Sequence, residues 1–227
     1  YLGVIAKYTN NSYSFANDNT KSEITPASGE TPAKFLVKSY GELSAGGQVF
    51  CFFPYVNGSS FTTPNITLSF PSSQNNTINE MPMASIPFTV STTVPEKTGT
   101  EVGDIQMLML GSIARYKIYS SNTDYQGETL KSVTFETAST NIAGSFNINI
   151  ENIDPANSST LAVNITDGSK SITESVSDKT VTDNKENGIV DMVIAPGTYS
   201  GTLTITTNAA SYEFILTNKE FQRAHIK

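Results

Sequence analysis

Apolar and polar residues alternate with a period of two along most of this chain, and nowhere does a period near 3.6 run for a capped helical length. The clearest instance is Ile113 to Tyr119, where Ala114, Tyr116 and Ile118 share one side of the pleat and Arg115 and Lys117 take the other. Just before it, Ile105 to Leu110 is an apolar run of strand length. Gly111-Ser112 separates the two, a pattern that reads as one long strand bent at the glycine. After a turn-forming stretch at Ser120 to Asp124, Leu130 to Thr137 returns to β structure. Val133 and Phe135 point inward there, with Lys131, Thr134 and Glu136 partly out, and Leu130 alone breaks the alternation.

The remaining segments fit the same reading. Tyr1 to Tyr8 carries strand formers around a glycine and is expected to be an edge or terminal strand, and Ala33 to Tyr40 is a second strand candidate. Val49 to Val56 is an apolar run interrupted at Pro54, read as a buried central strand, which turns at Asn57-Gly58 toward Ile66 to Phe70 as its partner. Later, Ile148 to Ile153 ends at Asp154-Pro155, Leu161 to Ile165 turns at Asp167-Gly168, and Ser171 to Val176, Ile189 to Ile194 and Tyr199 to Thr207 are further strands. Asp178 to Glu186 reads as a charged surface loop, and Tyr212 to Leu216 and Phe221 to Ile226 close the chain. Val94 to Thr100 has the composition of a linker, which divides the chain into 1–96 and 97–227. The fold class predicted is all-β: two antiparallel β-sandwich domains with at most a helical turn or two.

Composition narrows the functional classes. The 227 residues carry 14 Lys and Arg against 21 Asp and Glu, a net charge of −7. With Arg115 and Arg223 as the only arginines and no lysine cluster, the chain lacks the basic face that nucleic acid or an anionic membrane requires. The longest apolar run, Val49 to Val56, is too short to span a bilayer. Cys51 is the only cysteine, so no intramolecular disulfide or cysteine-based metal site can form. Its apolar neighbours predict a buried, unreactive thiol.

The chain is expected to be no enzyme and to use no cofactor or metal, because the residues that build catalytic constellations are sparse in it. His225 is the only histidine and sits in the last residues, which leaves little from which to build a nucleophile and base pair. No phosphate-cradling glycine loop, dinucleotide fingerprint or EF-hand loop occurs. Glu151 with Asp154, and Asp183 with Glu186, are the nearest carboxylate sets, and both read as solvated turn residues. Tyr13, Phe61 and Tyr125 are candidates for exposed aromatics of a glycan-binding surface.

The blocks MLMLGSIARYKIYSS and GETLKSVTFETASTNIAGSF, followed much later by VIAPGTYSGTLTITT, resemble in order and spacing the C-terminal half of the fimbrillins. These are the pilins of the type V pili of Bacteroidales. The resemblance covers mainly Asp104 to Lys227, and the first half joins it more loosely through VFCFFPYVNG and EMPMAS. It implies a transthyretin-like Greek-key fold in both domains, export as a lipoprotein, outer-membrane anchoring and a place in a cell-surface fimbrium. It also implies proteolytic removal of an N-terminal strand and insertion of a neighbour's strand into the groove left behind. Other copies of the chain or related pilin subunits are then its partners, and a host-surface protein or glycan is the partner under the alternative reading of a surface adhesin. The assembly strands expected on this basis run through Leu2 and Val4 at one end and Phe221, Ala224 and Ile226 at the other. In the best-known family members the cut follows an arginine, and this chain has none before Arg115. No sorting signal of the L-P-x-T-G kind follows the last strand, and no signal-like segment precedes Tyr1, so export implies a mature or trimmed form.

Overall fold

The structure, a computed structural model, describes residues 2–15, 24–25, 34–35, 42–54, 61–62, 64–75, 81–94, 103–153, 161 and 163–227. The Asn57-Gly58 and Asp154-Pro155 turns, the 95–100 linker and most of the Ala33 to Tyr40 candidate lie outside these residues. The first strands are β1 (Gly3–Lys7), β2 (Tyr13–Phe15), β3 (Ile24–Thr25), β4 (Lys34–Phe35), β5 (Gln48–Phe53), β6 (Phe61–Thr62) and β7 (Asn65–Phe70). Next come β8 (Ser73–Gln74), β9 (Met83–Ser85), β10 (Phe88–Thr89), β11 (Met107–Met109), β12 (Ser112–Lys117) and β13 (Leu130–Thr137). The last are β14 (Ala143–Asn149), β15 (Ile165–Ser169), β16 (Ser171–Ser175), β17 (Ile189–Ile194), β18 (Gly197–Thr207) and β19 (Ser211–Phe221). Among the described residues the only helical turn is a 3-10 turn at Ile150–Asn152, so the fold is all-β.

Two compact units emerge, each drawn from three segments: Tyr1–Leu68, Met83–Leu108 and Ile148–Ala162 in the first, Ser69–Pro82, Met109–Asn147 and Val163–Lys227 in the second. A single cut between 96 and 97 differs from this division, because residues 69–82 leave early for the second unit and residues 148–162 return to the first.

In the first unit a sheet runs β11-β9-β5-β1-β2, with β10 also on β5. β5 is central and buried on both faces, which explains why its sequence is a continuous apolar run rather than an alternation. Its partners are β1, β9 and β10, whereas β7 pairs with β6 through Phe61↔Ile66, so Ile66 to Phe70 is not the hairpin partner of β5. β1 is not an edge strand either: it pairs with β5 along Gly3 to Lys7 and with β2 along Ile5 to Lys7. The glycine that suggested an edge has a packing role, because a Cβ at Gly3 would sit 2.1 Å from the ring of Phe52 on the neighbouring strand. On one side of the sheet Leu2, Val4, Leu43, Val49, Cys51, Val90 and Val94 form a core. Cys51 is 2% exposed, and burial pushes its thiol from the ordinary 9.0 up to about 12. A thiol reagent added without denaturant should therefore leave Cys51 unmodified over the time in which the unfolded chain reacts fully. Native labelling at the unfolded rate would show that the core assignment is wrong.

The second unit holds the sheet β19-β18-β13-β16-β8 and the pair β12-β17. β13 explains the anomaly of Leu130: its register against β18 shifts between Leu130 and Ser132, a bulge that brings Leu130, Val133 and Phe135 all inward at 0% exposure. Tertiary packing also explains the Gly111 break, since a Cβ there would meet the Phe70 ring at 2.8 Å and the Ile194 carbonyl oxygen at 3.2 Å. The strands before and after it, β11 and β12, belong to different sheets rather than to one bent strand. β15 runs through Asp167-Gly168 where a turn was expected, and Ser211 to Phe221 is one strand rather than two.

Pairing is not wholly antiparallel. β8 joins β16 in parallel, through Thr173↔Ser73 and Glu174↔Gln74. Two residues of main chain are a weak attachment, and the buried side chain of Gln74 supplements them. Its Oε1 accepts from the Val193 N–H at 2.8 Å, and its Nε2 donates to the Val193 carbonyl at 2.7 Å and to the Pro71 carbonyl at 3.0 Å. The primary amide thus pairs with β17 as a peptide group would.

Candidate assembly strands

β12 is held on one side by β17, six residue pairs from Ser112↔Ile194 to Lys117↔Ile189. A fork-to-fork ion pair between Arg115 and Asp191, both contacts 2.8 Å, locks the register on the solvent face. The other side of β12 is taken by the end of the chain. Ala224 N–H donates to the Gly111 carbonyl at 2.9 Å, Ile113 N–H to the His225 carbonyl at 3.0 Å, Lys227 N–H to the Ile113 carbonyl at 2.9 Å, and Arg115 N–H to the Lys227 carbonyl at 2.8 Å. The result is a short parallel ladder with Ile113 opposite Ile226. Ser112 Oγ adds a 3.0 Å bond to the His225 carbonyl.

The approach to this ladder is set by two residues. Phe221, 4% exposed, ends β19 with its ring between Phe135 and Tyr199, at centroid distances of 6.3 and 6.0 Å. Tyr199 is itself fixed by hydroxyl bonds to the Ala195 and Pro196 carbonyls at 3.2 and 3.1 Å, and burial raises its phenol above the ordinary range. Beyond Phe221 the chain turns, and Ala224 takes a left-handed φ of 57°. That conformation costs an alanine about 1 kcal/mol relative to the ordinary regions. The turn is closed by His225 N–H donating to the Gln222 carbonyl at 3.2 Å. Past it the side chains are mostly in solvent, with Ile226 55% exposed. The tail is therefore attached by backbone bonds, and the apolar anchor is Phe221.

Of the residues expected from sequence, Leu2, just before β1, and Val4, on it, lie in the core of the first unit, while Phe221, Ala224 and Ile226 lie at the end of the second. Phe221 and Ile226 do not share one strand: the first ends β19, and the second is a bridge residue beside β12. The acceptor side, Gly111 to Arg115, carries no sequence signal for this role, because a strand edge is a property of topology rather than of residue type.

The candidates for other chemistry are engaged elsewhere. In the first unit Lys7 Nζ contacts Glu151 at 2.5 Å and lies 5.6 Å from the centroid of the Tyr13 ring, while the Tyr13 hydroxyl also donates to Glu151. The Lys7 and Tyr13 hydrogen bonds hold the Glu151 carboxyl below its ordinary range. In the second unit the Lys117 hydrogen bond, 2.6 Å, does the same to Glu186. A general acid needs the opposite shift. Tyr13 packs on Phe61 at 5.7 Å, and Tyr125, 43% exposed, stands edge-on to Tyr212 at 5.6 Å. No group of three or more His, Cys, Asp or Glu side chains arranged to hold a metal occurs among the described residues.

No protein-family model matches the chain, and no curated protein matches it in sequence. Solved structures do resemble it. A candidate cell adhesion protein from Bacteroides fragilis NCTC 9343 gives a TM-score of 0.50 at 12% identity, over 99% of this chain and 77% of its own. A second candidate cell adhesion protein, from Bacteroides ovatus ATCC 8483, gives 0.49 at 13% identity over 99% and 78%. A fimbrial protein from Bacteroides ovatus ATCC 8483 gives 0.44 at 10% identity over 100% of this chain and 42% of its own. At such identities the likeness is one of fold, and the chain shares the β architecture of the Bacteroides fragilis protein.

Proposed function

We propose that this chain is a structural, non-catalytic subunit of a cell-surface fimbria, built from β-sandwich units of transthyretin-like Greek-key type and joined to its neighbours by strand exchange. The observation that carries this reading is the tail from Ala224 to Lys227, bridged in parallel to β12 at Ile226 and held there by main-chain hydrogen bonds with little side-chain burial. A strand held that way can be given to, or replaced by, another copy, since backbone pairing is indifferent to which chain supplies it. At the other end, β1 lies between β5 and β2, and its removal would leave a groove where Leu2, Val4 and Ile5 now sit. The fimbrillin-like blocks and the fold shared with a candidate cell adhesion protein support the same reading, with export, outer-membrane anchoring and cleavage of the first strand as the resemblance implies.

Deleting residues 222–227 tests it. The shortened chain should keep the far-ultraviolet spectrum of a folded β protein and be absent from surface filaments in cells that assemble the full-length chain. Normal incorporation of the shortened chain would refute the C-terminal strand as the joint. An adhesive surface is the second reading, favoured only by the exposure of Tyr125.

A further inference from the structure

β19 presents a second edge with a different partner requirement. It is the outermost strand of its five-stranded sheet, paired on one side with β18 and on the other side with no strand among the described residues. Natural edges of this length are usually blunted by charge, bulges or cover. Here the bulge lies at one end, and the rest of the run carries a single charge, Glu213. The register against β18 shifts at Tyr199/Gly201, and Asn218, with φ 49°, is bonded through its N–H to Ser200 Oγ at 2.9 Å. Between the hairpin end at Ser211 and that bulge lies a regular run, Ser211 to Thr217.

The exposure of this run is unusual. Tyr212, Phe214 and Leu216 stand opposite Ile205, Leu203 and Gly201 of β18 and so share their inward face. Yet Phe214 is 50% exposed while Leu203 opposite is 6% exposed, so the layer that covers β18 stops short of β19. On the outward face Ile215 is 76% exposed. The main chain of the run is also open. Thr207 N–H donates to the Ala210 carbonyl, which makes that position a hydrogen-bonded pair. By the antiparallel alternation, 212, 214 and 216 direct their peptide groups to β18, and 211, 213 and 215 direct theirs outward.

We propose that this edge pairs antiparallel with β19 of a second copy of the chain, about a two-fold axis passing through Phe214. The register follows from the run itself. The midpoint of 211–217 is residue 214, so full overlap of two such runs centres there. That register sets Tyr212 opposite the partner subunit's Leu216 and Phe214 opposite the partner subunit's Phe214. The outward peptide groups of Glu213 face those of the partner subunit's Ile215. Neighbouring registers are worse: centring on Glu213 opposes two like charges, and centring on Ile215 drives Tyr212 against the bulge at Asn218. The contact closes on itself as a dimer, unlike tail exchange, which propagates head to tail. It joins two five-stranded sheets into one and does not depend on the tail, so it stands whether or not the chain polymerises as proposed above.

Sedimentation of the full chain over a rising concentration series tests the proposal. The expected mass is twice that of one chain at the upper end, and it should stay so after deletion of 222–227. Glu213→Pro removes only an outward amide and should return the mass to one chain with the thermal midpoint of the parent. Phe214→Cys gives an independent reading should the proline variant fail to fold. Directly opposed, non-hydrogen-bonded residues have Cα atoms about 4.5 Å apart, within disulfide reach. Mild oxidation should therefore link Phe214→Cys into dimers and leave Leu216→Cys unlinked. A single-chain mass at every concentration, or linking of Leu216→Cys as readily as Phe214→Cys, would overturn the pairing.

Discussion

Replacing Phe221 with alanine is expected to cost the chain about 3–5 kcal/mol of stability, the range for emptying a buried aromatic site. The ring is 4% exposed and lies between those of Phe135 and Tyr199, both fixed by their own surroundings, so the walls of the cavity have little freedom to collapse. Phe135 is held in the middle of β13 between two strands, and Tyr199 by its hydroxyl bonds. Urea unfolding followed by circular dichroism measures the loss, and Phe221→Leu serves as the control, expected to lose under about 2 kcal/mol because much of the volume is kept. A loss below about 1 kcal/mol for the alanine variant would mean that the ring is not the anchor of the chain end.

The Gln74→Leu substitution should cost about 2–4 kcal/mol although shape and volume are nearly preserved. The leucine leaves the Val193 N–H and carbonyl, both now bonded to the Gln74 amide, buried without partners. Gln74→Glu keeps the acceptor oxygen and removes the amide donor. A carboxylate could still accept from the Val193 N–H, but it would face the carbonyls of Val193 and Pro71 with no proton to donate. Its folded-state pKa must therefore rise above the roughly 4.3 of an unfolded glutamate. The deficit should be small below pH 4 and grow as pH rises through that value, because the unfolded state releases a proton that the folded state retains. A Gln74→Glu variant equally unstable at all pH values would show that packing, rather than the amide's donor, is what matters at this site.

How far the sequence is readable depends on what each residue responds to. β12, β16, β17 and the strand from Tyr199 to Thr207 were legible because each buries one face or a short apolar run, and local alternation records that directly. What was not legible involves partners far away in the chain. Gly3 reads as a strand weakener until Phe52 is seen over it, Gly111 as a bend until Phe70 and Ile194 close in, and Leu130 as an exception until the bulge opposite Thr206 and Thr207 absorbs one residue. Gln74 carries no signal at all, being a polar residue in a stretch of Ser, Asn and Gln, yet it is 1% exposed. In the candidate assembly strands, Leu2, Val4 and Phe221 were identifiable as apolar residues near chain ends, while the edge of β12 that receives Ala224 to Lys227 was not. An edge exists only once every other strand has found its place.

The parallel ladder on β12 also divides the second unit by ease of opening. Releasing residues 222–227 breaks main-chain bonds and relieves the left-handed Ala224, while β12 keeps its six pairs with β17 and the Arg115–Asp191 fork. Such an excursion costs far less than global unfolding. The amides of Ala224, Lys227, Ile113 and Arg115 then exchange with solvent through this local event, and those of β13, bonded on both sides by β16 and β18, only when the whole unit opens. The chain end is a latch whose release leaves the body of the fold intact.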